Sequence, residues 1–179
     1  MSARSALRAA TRADHARVDA LFSDSDLASR AGYARFLARQ AAAHLPVERA
    51  IDAAGAEALV PDWPARRRAP LLLADLADLG PTTIAEERFL LPGGEAALLG
   101  AVYVLEGSRL GGAVLRQRVG PGLPVRFLSP GRQGGWRSLV ALLDCALRTE
   151  SALAEAIEGA RSTFDCFACA AKRQPEPSA

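Results

Sequence analysis

Hydrophobic residues along this 179-residue chain recur every three or four positions and seldom alternate, so the pattern predicts helices. Leu7, Thr11, His15, Val18 and Phe22 share one face of a first helix predicted from about Arg4 to Phe22, with Ser2 or Ser5 as its cap. Polar Ser23-Asp24-Ser25-Asp26 reads as a loop. A second helix begins near Ser29 and carries Tyr33, Phe36, Leu37, Gln40, His44, Val47 and Ile51. Pro46 lies inside it and is expected to kink or interrupt it, because proline has no amide hydrogen and clashes with the preceding turn. Gly55 and Pro61-Asp62-Trp63-Pro64 mark a break. A third helix, from about Ala65 or Pro70, stops at Leu79 before Gly80-Pro81. After Pro92-Gly93-Gly94, a fourth runs from Glu95 to about Val119 and is apolar enough to be largely buried. A loop rich in glycine and proline spans Gly120 to Gly135. A last helical region extends from Trp136 to about Lys172, bent or broken near Thr149 to Ser151. The expectation is one all-α domain over residues 1–173, followed by a disordered tail, 174–179.

Composition supports that class. Half of the residues are hydrophobic but only 6% are aromatic, and alanine and leucine dominate. The formal charge of +2, with no basic face interleaved with aromatics, argues against nucleic acid as partner. No apolar run approaches the ~20 residues that span a bilayer, and the N-terminus lacks the apolar core of a secretion signal. The three cysteines, Cys145, Cys166 and Cys169, cannot make a closed disulfide framework. A cytoplasmic, membrane-free protein is expected.

His15, one of two histidines, stands in the middle of an apolar helix face. Neutral imidazole ligates haem iron well. Asp19, four residues on, can accept a hydrogen bond from the other ring nitrogen, and Arg8, two turns earlier, can pair with a carboxylate. A lone histidine on such a face is also a common core residue. Glu106-Gly107-Ser108-Arg109-Leu110-Gly111-Gly112 removes Cβ atoms from a buried helix, which admits a flat ligand against the backbone, although a closely packed neighbouring helix is the commoner reason for such glycines. His44 completes no metal set and reads as structural. Cys166 and Cys169 read as packing residues, and Arg66-Arg67-Arg68 as a solvated helix start, with reductase docking the alternative. If a haem is bound, Arg137 is a weaker propionate candidate than Arg8, as are Arg116 and Arg118. Phe164 and Phe167 share a face that lines either a haem pocket or the core.

Two segments carry a resemblance. Leu7-Arg8-Ala9-Ala10-Thr11 through His15 to Phe22 is similar to the proximal helix of haem oxygenases. Tyr103-Val104-Leu105-Glu106-Gly107-Ser108-Arg109-Leu110-Gly111-Gly112 resembles their glycine-rich distal helix in its bacterial form. The likeness, greatest to members that accompany bacteriophytochromes, covers most of the chain. It implies an all-helical fold with haem b, at once cofactor and substrate, between the first helix and a kinked distal helix. His15 then ligates iron, Asp19 partners it, and Arg8 meets a propionate. Thr11 and Tyr103 lie in the matching cofactor-binding segments. Gly107 and Gly111 approach the haem face with Gly112 beside them. Ser108 stands where mammalian members have an aspartate that organises distal water. The implied reaction opens haem to biliverdin with release of CO and ferrous iron. Its partners are an external reductase or ferredoxin and, as recipient of the bilin, a bacteriophytochrome. A non-catalytic haem or tetrapyrrole carrier is the alternative.

Overall fold

The computed structural model describes residues 2–173, and the regular elements among them are all α-helical. The tail assigned to 174–179 lies outside the described residues. The predicted first helix is two: α1 (Ala3–Ala10), capped by the Ser2 hydroxyl, and α2 (Arg12–Phe22). They meet at Thr11, whose backbone leaves helical geometry (φ −107°, ψ 10°) and whose hydroxyl donates to the Leu7 carbonyl at 2.8 Å. A residue that bonds back to its own preceding turn bends a helix in this way.

α3 (Arg30–Ala53) starts at a Ser29 cap and runs on through Pro46 without interruption. Pro46 has no hydrogen for the carbonyl of Ala42, and the irregular segment 80–94 supplies one: Glu87 N–H donates to that oxygen at 2.8 Å. The expected break is thus compensated by tertiary contact. α4 (Ala56–Leu59) and α5 (Trp63–Arg66) are single turns, and α6 (Ala69–Leu79) ends at Gly80, as its stop signal predicts. α7 (Glu95–Arg116), α8 (Gly135–Ala146) and α9 (Glu150–Lys172) complete the fold. The break between α8 and α9 falls where it was expected, with the Thr149 hydroxyl capping α9.

The bundle is organised on α9, against which α7, α3, α2 and α1 all pack. The α7–α9 pair is the most extensive and is close because glycines face backbone reciprocally. A Cβ at Gly100 would strike the Ala156 carbonyl, and one at Gly159 the Ala97 carbonyl. α7 is long and apolar enough, by length and composition, to cross a membrane, yet half of its most apolar stretch is buried within this bundle. α8 lies against α1 and α7. α2 and α7 rest side by side on α9 without packing substantially on each other. The space between them is the candidate groove.

Candidate functional site

One wall of the groove is α2. His15 was expected on a buried face, but its side chain is 60% exposed, and its ring stands on Phe164 of α9. The two rings meet edge to face, with centroids 5.9 Å apart and planes at 71°. Nδ1 of His15 lies 2.9 Å from Asp19 Oδ2, one turn further along. When Nδ1 carries the hydrogen, Nε2 keeps a free lone pair on the solvent side, the form a metal ligand needs. Phe164 is therefore a prop for the imidazole, and Phe167 packs instead against His44. Arg17 to Asp165 at 2.5 Å and Arg161 to the Ala10 carbonyl at 3.2 Å tie this wall to α9.

The other wall is α7. Gly107, Leu110, Gly111 and Val114 follow the i, i+3, i+4, i+7 spacing of one helix face, and no helix covers it. Leu110 is 55% exposed and Val114 66%. A Cβ built on Gly111 would meet nothing within 4 Å, and one on Gly107 only the Trp136 ring, at 3.9 Å. An apolar stripe left open in this manner marks a binding face. The space at Gly111 leaves no neighbouring helix there, whereas Gly107 comes within contact range of Trp136 on α8 and Gly112 faces the Leu128 backbone in the loop before α8. Gly112 is buried with its Cα against the Leu128 backbone, 3.5 Å from where a Cβ would sit, so its expected place at the haem face is corrected. Thr11 is corrected likewise: it is buried, its hydroxyl is spent on Leu7, and it serves as a hinge.

One end of the groove closes where α1, α7 and α8 converge. Trp136, at the start of α8, lies 5.8 Å from Tyr103, and the Arg4 guanidinium sits over its ring at 5.9 Å. Burial raises the Tyr103 pKa, while Arg4 and Arg8 nearby pull the other way. Arg4, Arg8 and the exposed Arg137 enter none of the ion pairs found among the described residues. Unpaired guanidinium groups beside an aromatic corner suit carboxylates carried on a flat apolar body. The chemistry of these residues suits a haem: an imidazole nitrogen without a protein partner on α2, a stretch of α7 bare of side chains at Gly111, and Arg4 and Arg8 near Tyr103.

Behind the α7 wall is a buried polar cluster that sequence reasoning missed. Arg66 and Arg68 are not solvated but 6% and 2% exposed, while Arg67 alone stays outside. Arg68 donates to the Leu105 carbonyl at 2.7 Å and to Ser108 Oγ at 2.5 Å, and its guanidinium lies 4.8 Å over the Phe127 ring. Burial lowers the Arg68 pKa to about 10, with Arg109 adding to the effect. Ser108 Oγ in turn donates to Leu105 O, so the hydroxyl is engaged on both sides. Arg66 pairs with Glu106 at 2.8 Å, and Arg109 donates to the Arg66 carbonyl.

Glu48 receives the backbone N–H groups of Arg68 and Ala69 and sits 2.8 Å from His44 Nε2. Burial pushes the Glu48 carboxyl up, but these hydrogen bonds outweigh it and hold the pKa low. Desolvation keeps His44 below the ordinary imidazole range, so a neutral ring donates to a carboxylate. His44 is structural, as its lone position in the sequence predicted, and the described residues hold no cluster able to bind a metal through three or more side chains. The one available signal for this cluster was Glu106 on an apolar helix, since a buried carboxylate requires a cation.

No family model matches the chain. A heme oxygenase of Xanthomonas campestris pv. campestris is 40% identical over 116 residues, spanning 59% of this chain and 67% of that protein. Heme oxygenase PigA of Pseudomonas aeruginosa is 31% identical over 172 residues, 88% of this chain and 85% of that one. Among solved structures, the NO- and CO-bound heme oxygenase of Neisseria meningitidis superposes with a TM-score of 0.82 at 29% identity, over 96% of this chain and 91% of its own. Similarity of that extent in sequence and fold places the chain in the haem oxygenase family.

Proposed function

We propose that the enzyme binds haem b in the α2–α7 groove, with iron on His15 Nε2, and converts it to biliverdin, CO and ferrous iron. The observation that carries this reading is the uncovered stripe Gly107, Leu110, Gly111 and Val114 beside an exposed His15 whose other nitrogen is held by Asp19. When bound, haem is both redox centre and substrate, and its ring is opened at a meso carbon with dioxygen and external electrons.

The chain's own residues orient it. His15, propped by Phe164 and hydrogen-bonded to Asp19 through Nδ1, would hold the iron through Nε2. Gly107 and Gly111 present main chain with no intervening side chain, a close wall that steers a small ligand toward the ring edge. The Ser108 hydroxyl is tied to Arg68 and Leu105, which leaves no strong acid at this wall. Arg8, Arg4 and Arg137 receive the propionates beside Tyr103. The exposed mouth admits an electron donor, a reductase or ferredoxin. A bacteriophytochrome as the bilin's recipient and a cytoplasmic location complete this reading.

Titration with haem tests the reading. Wild type is expected to give a Soret band with a six-coordinate ferric spectrum, replaced by a bilin spectrum on adding ascorbate or a reductase system in air. His15→Ala is expected to lose both normal ligation and turnover. Full biliverdin production by that variant overturns the assignment, and tight binding by wild type with no conversion supports the carrier instead.

A further inference from the structure

We infer that Arg66 is a positioning residue that sets the distance between the distal helix and the Trp136 corner, and so governs how haem is seated. The inference rests on the reading of the α2–α7 groove as the haem site. Arg66 Nε donates to Asp62 Oδ1 at 2.8 Å, and Nη1 to Glu106 Oε2 at 2.8 Å. Nη2 donates to the Gly135 carbonyl and to Ser138 Oγ, each at 2.9 Å. The Arg66 carbonyl accepts from Arg109 of α7. One nearly buried guanidinium therefore joins α5, the distal helix and the first turn of α8.

That turn matters because it carries Trp136, which meets Tyr103 and Arg4 and lies 3.9 Å from the missing Cβ of Gly107. α8 is preceded by a long irregular segment, and its contact with α7 is slight beside that of α9. α8 is also held to α1, by Ala3 N–H on Asp144 Oδ1 at 2.7 Å, and to the core by buried Leu139 and Leu143, but Arg66 supplies the polar link between its first turn and the distal helix. A planar fork with five donors can hold three directions at once, whereas a lysine ammonium concentrates its charge at one point. Charge alone is not the function; geometry is.

Arg66→Lys separates the two, since it keeps a cation near Glu106 and gives up the span to Gly135 and Ser138. The expected result is retained His15-type ligation with haem affinity lowered about 10- to 100-fold, as for other residues that orient a ligating site, and a changed ratio of biliverdin isomers. In the haem-free protein, acrylamide quenching of tryptophan emission is expected to rise, because Trp63 is buried and Trp136 is the accessible ring. Arg66→Met combined with Glu106→Leu serves if Arg66→Lys fails to fold, because apolar replacement of a buried ion pair is commonly tolerated. A folded variant with wild-type affinity, isomer ratio and quenching overturns the inference. Failure of the groove reading looks different: wild-type protein itself then binds haem indifferently to His15→Ala.

Discussion

Replacing Gly111 by alanine should move stability and haem affinity in opposite directions. Glycine inside a helix costs about 0.5–1 kcal/mol relative to alanine through lost backbone entropy. At Gly111 the added Cβ meets no atom within 4 Å, so no clash offsets that gain. For a domain of this size 1 kcal/mol shifts Tm by about 2–4 °C, so haem-free Gly111→Ala should melt roughly 1–4 °C higher. With haem bound, the same methyl points into occupied space. Overpacking of a fitted contact costs about 1–3 kcal/mol, which corresponds to haem binding weakened roughly 5- to 150-fold. Thermal melts by circular dichroism and Soret titration read the two effects separately, and chromatography of the product shows whether the cleaved meso carbon changes. Gly112→Ala is the control, because its Cβ would make ordinary contact at 3.5 Å with the Leu128 backbone on another face. Haem affinity should not move there. A Gly111→Ala protein that melts higher yet binds haem as tightly, with the same product isomer, refutes the role of Gly111 in the wall. One that melts lower refutes the open space itself.

Other consequences follow from the same packing. Gly159→Ala should destabilise by about 1–3 kcal/mol, because its Cβ would collide with the Ala97 carbonyl and helix α9 cannot shift without disturbing every helix packed on it; a Tm at or above wild type would contradict the close α7–α9 contact. Acid should destabilise the fold in two stages. His44, lowered by burial, opposes protonation below its unfolded pKa of ~6.5, and Glu48, held low by its hydrogen bonds, loses its contribution as pH falls below its unfolded value of ~4.3. Urea midpoints of wild type and His44→Gln between pH 7.5 and 5.5 measure the first stage, and equal pH slopes would remove it. Trp136→Ala should weaken haem binding while leaving His15 ligation spectroscopically intact, and an unchanged Soret titration would detach this corner from the site.

What the sequence determined by itself was the helical class, most helix ends and the chemistry of two segments. Periodicity is a local property, and stop signals such as Gly80 or caps such as Ser29 and Thr149 act within one turn, so they are legible in order along the chain. Helical period alone sets Asp19 one turn beyond His15 and puts Gly107 and Gly111 on one face of α7. Tertiary structure decided the rest. Whether a glycine admits a ligand or a neighbour depends on what lies across from it, which is why Gly111 and Gly112, adjacent in sequence, have opposite surroundings. The exposure of His15 arises because α2 and α7 each pack on α9 and not on each other. Pro46 leaves its helix intact only because Glu87, 41 positions on in the numbering, reaches the Ala42 carbonyl. Arg66 and Arg68 read as solvated until Glu106, Leu105 and Ser108 are seen beside them. A buried charge depends on partners remote in sequence, and hydrophobic periodicity contains no term for that.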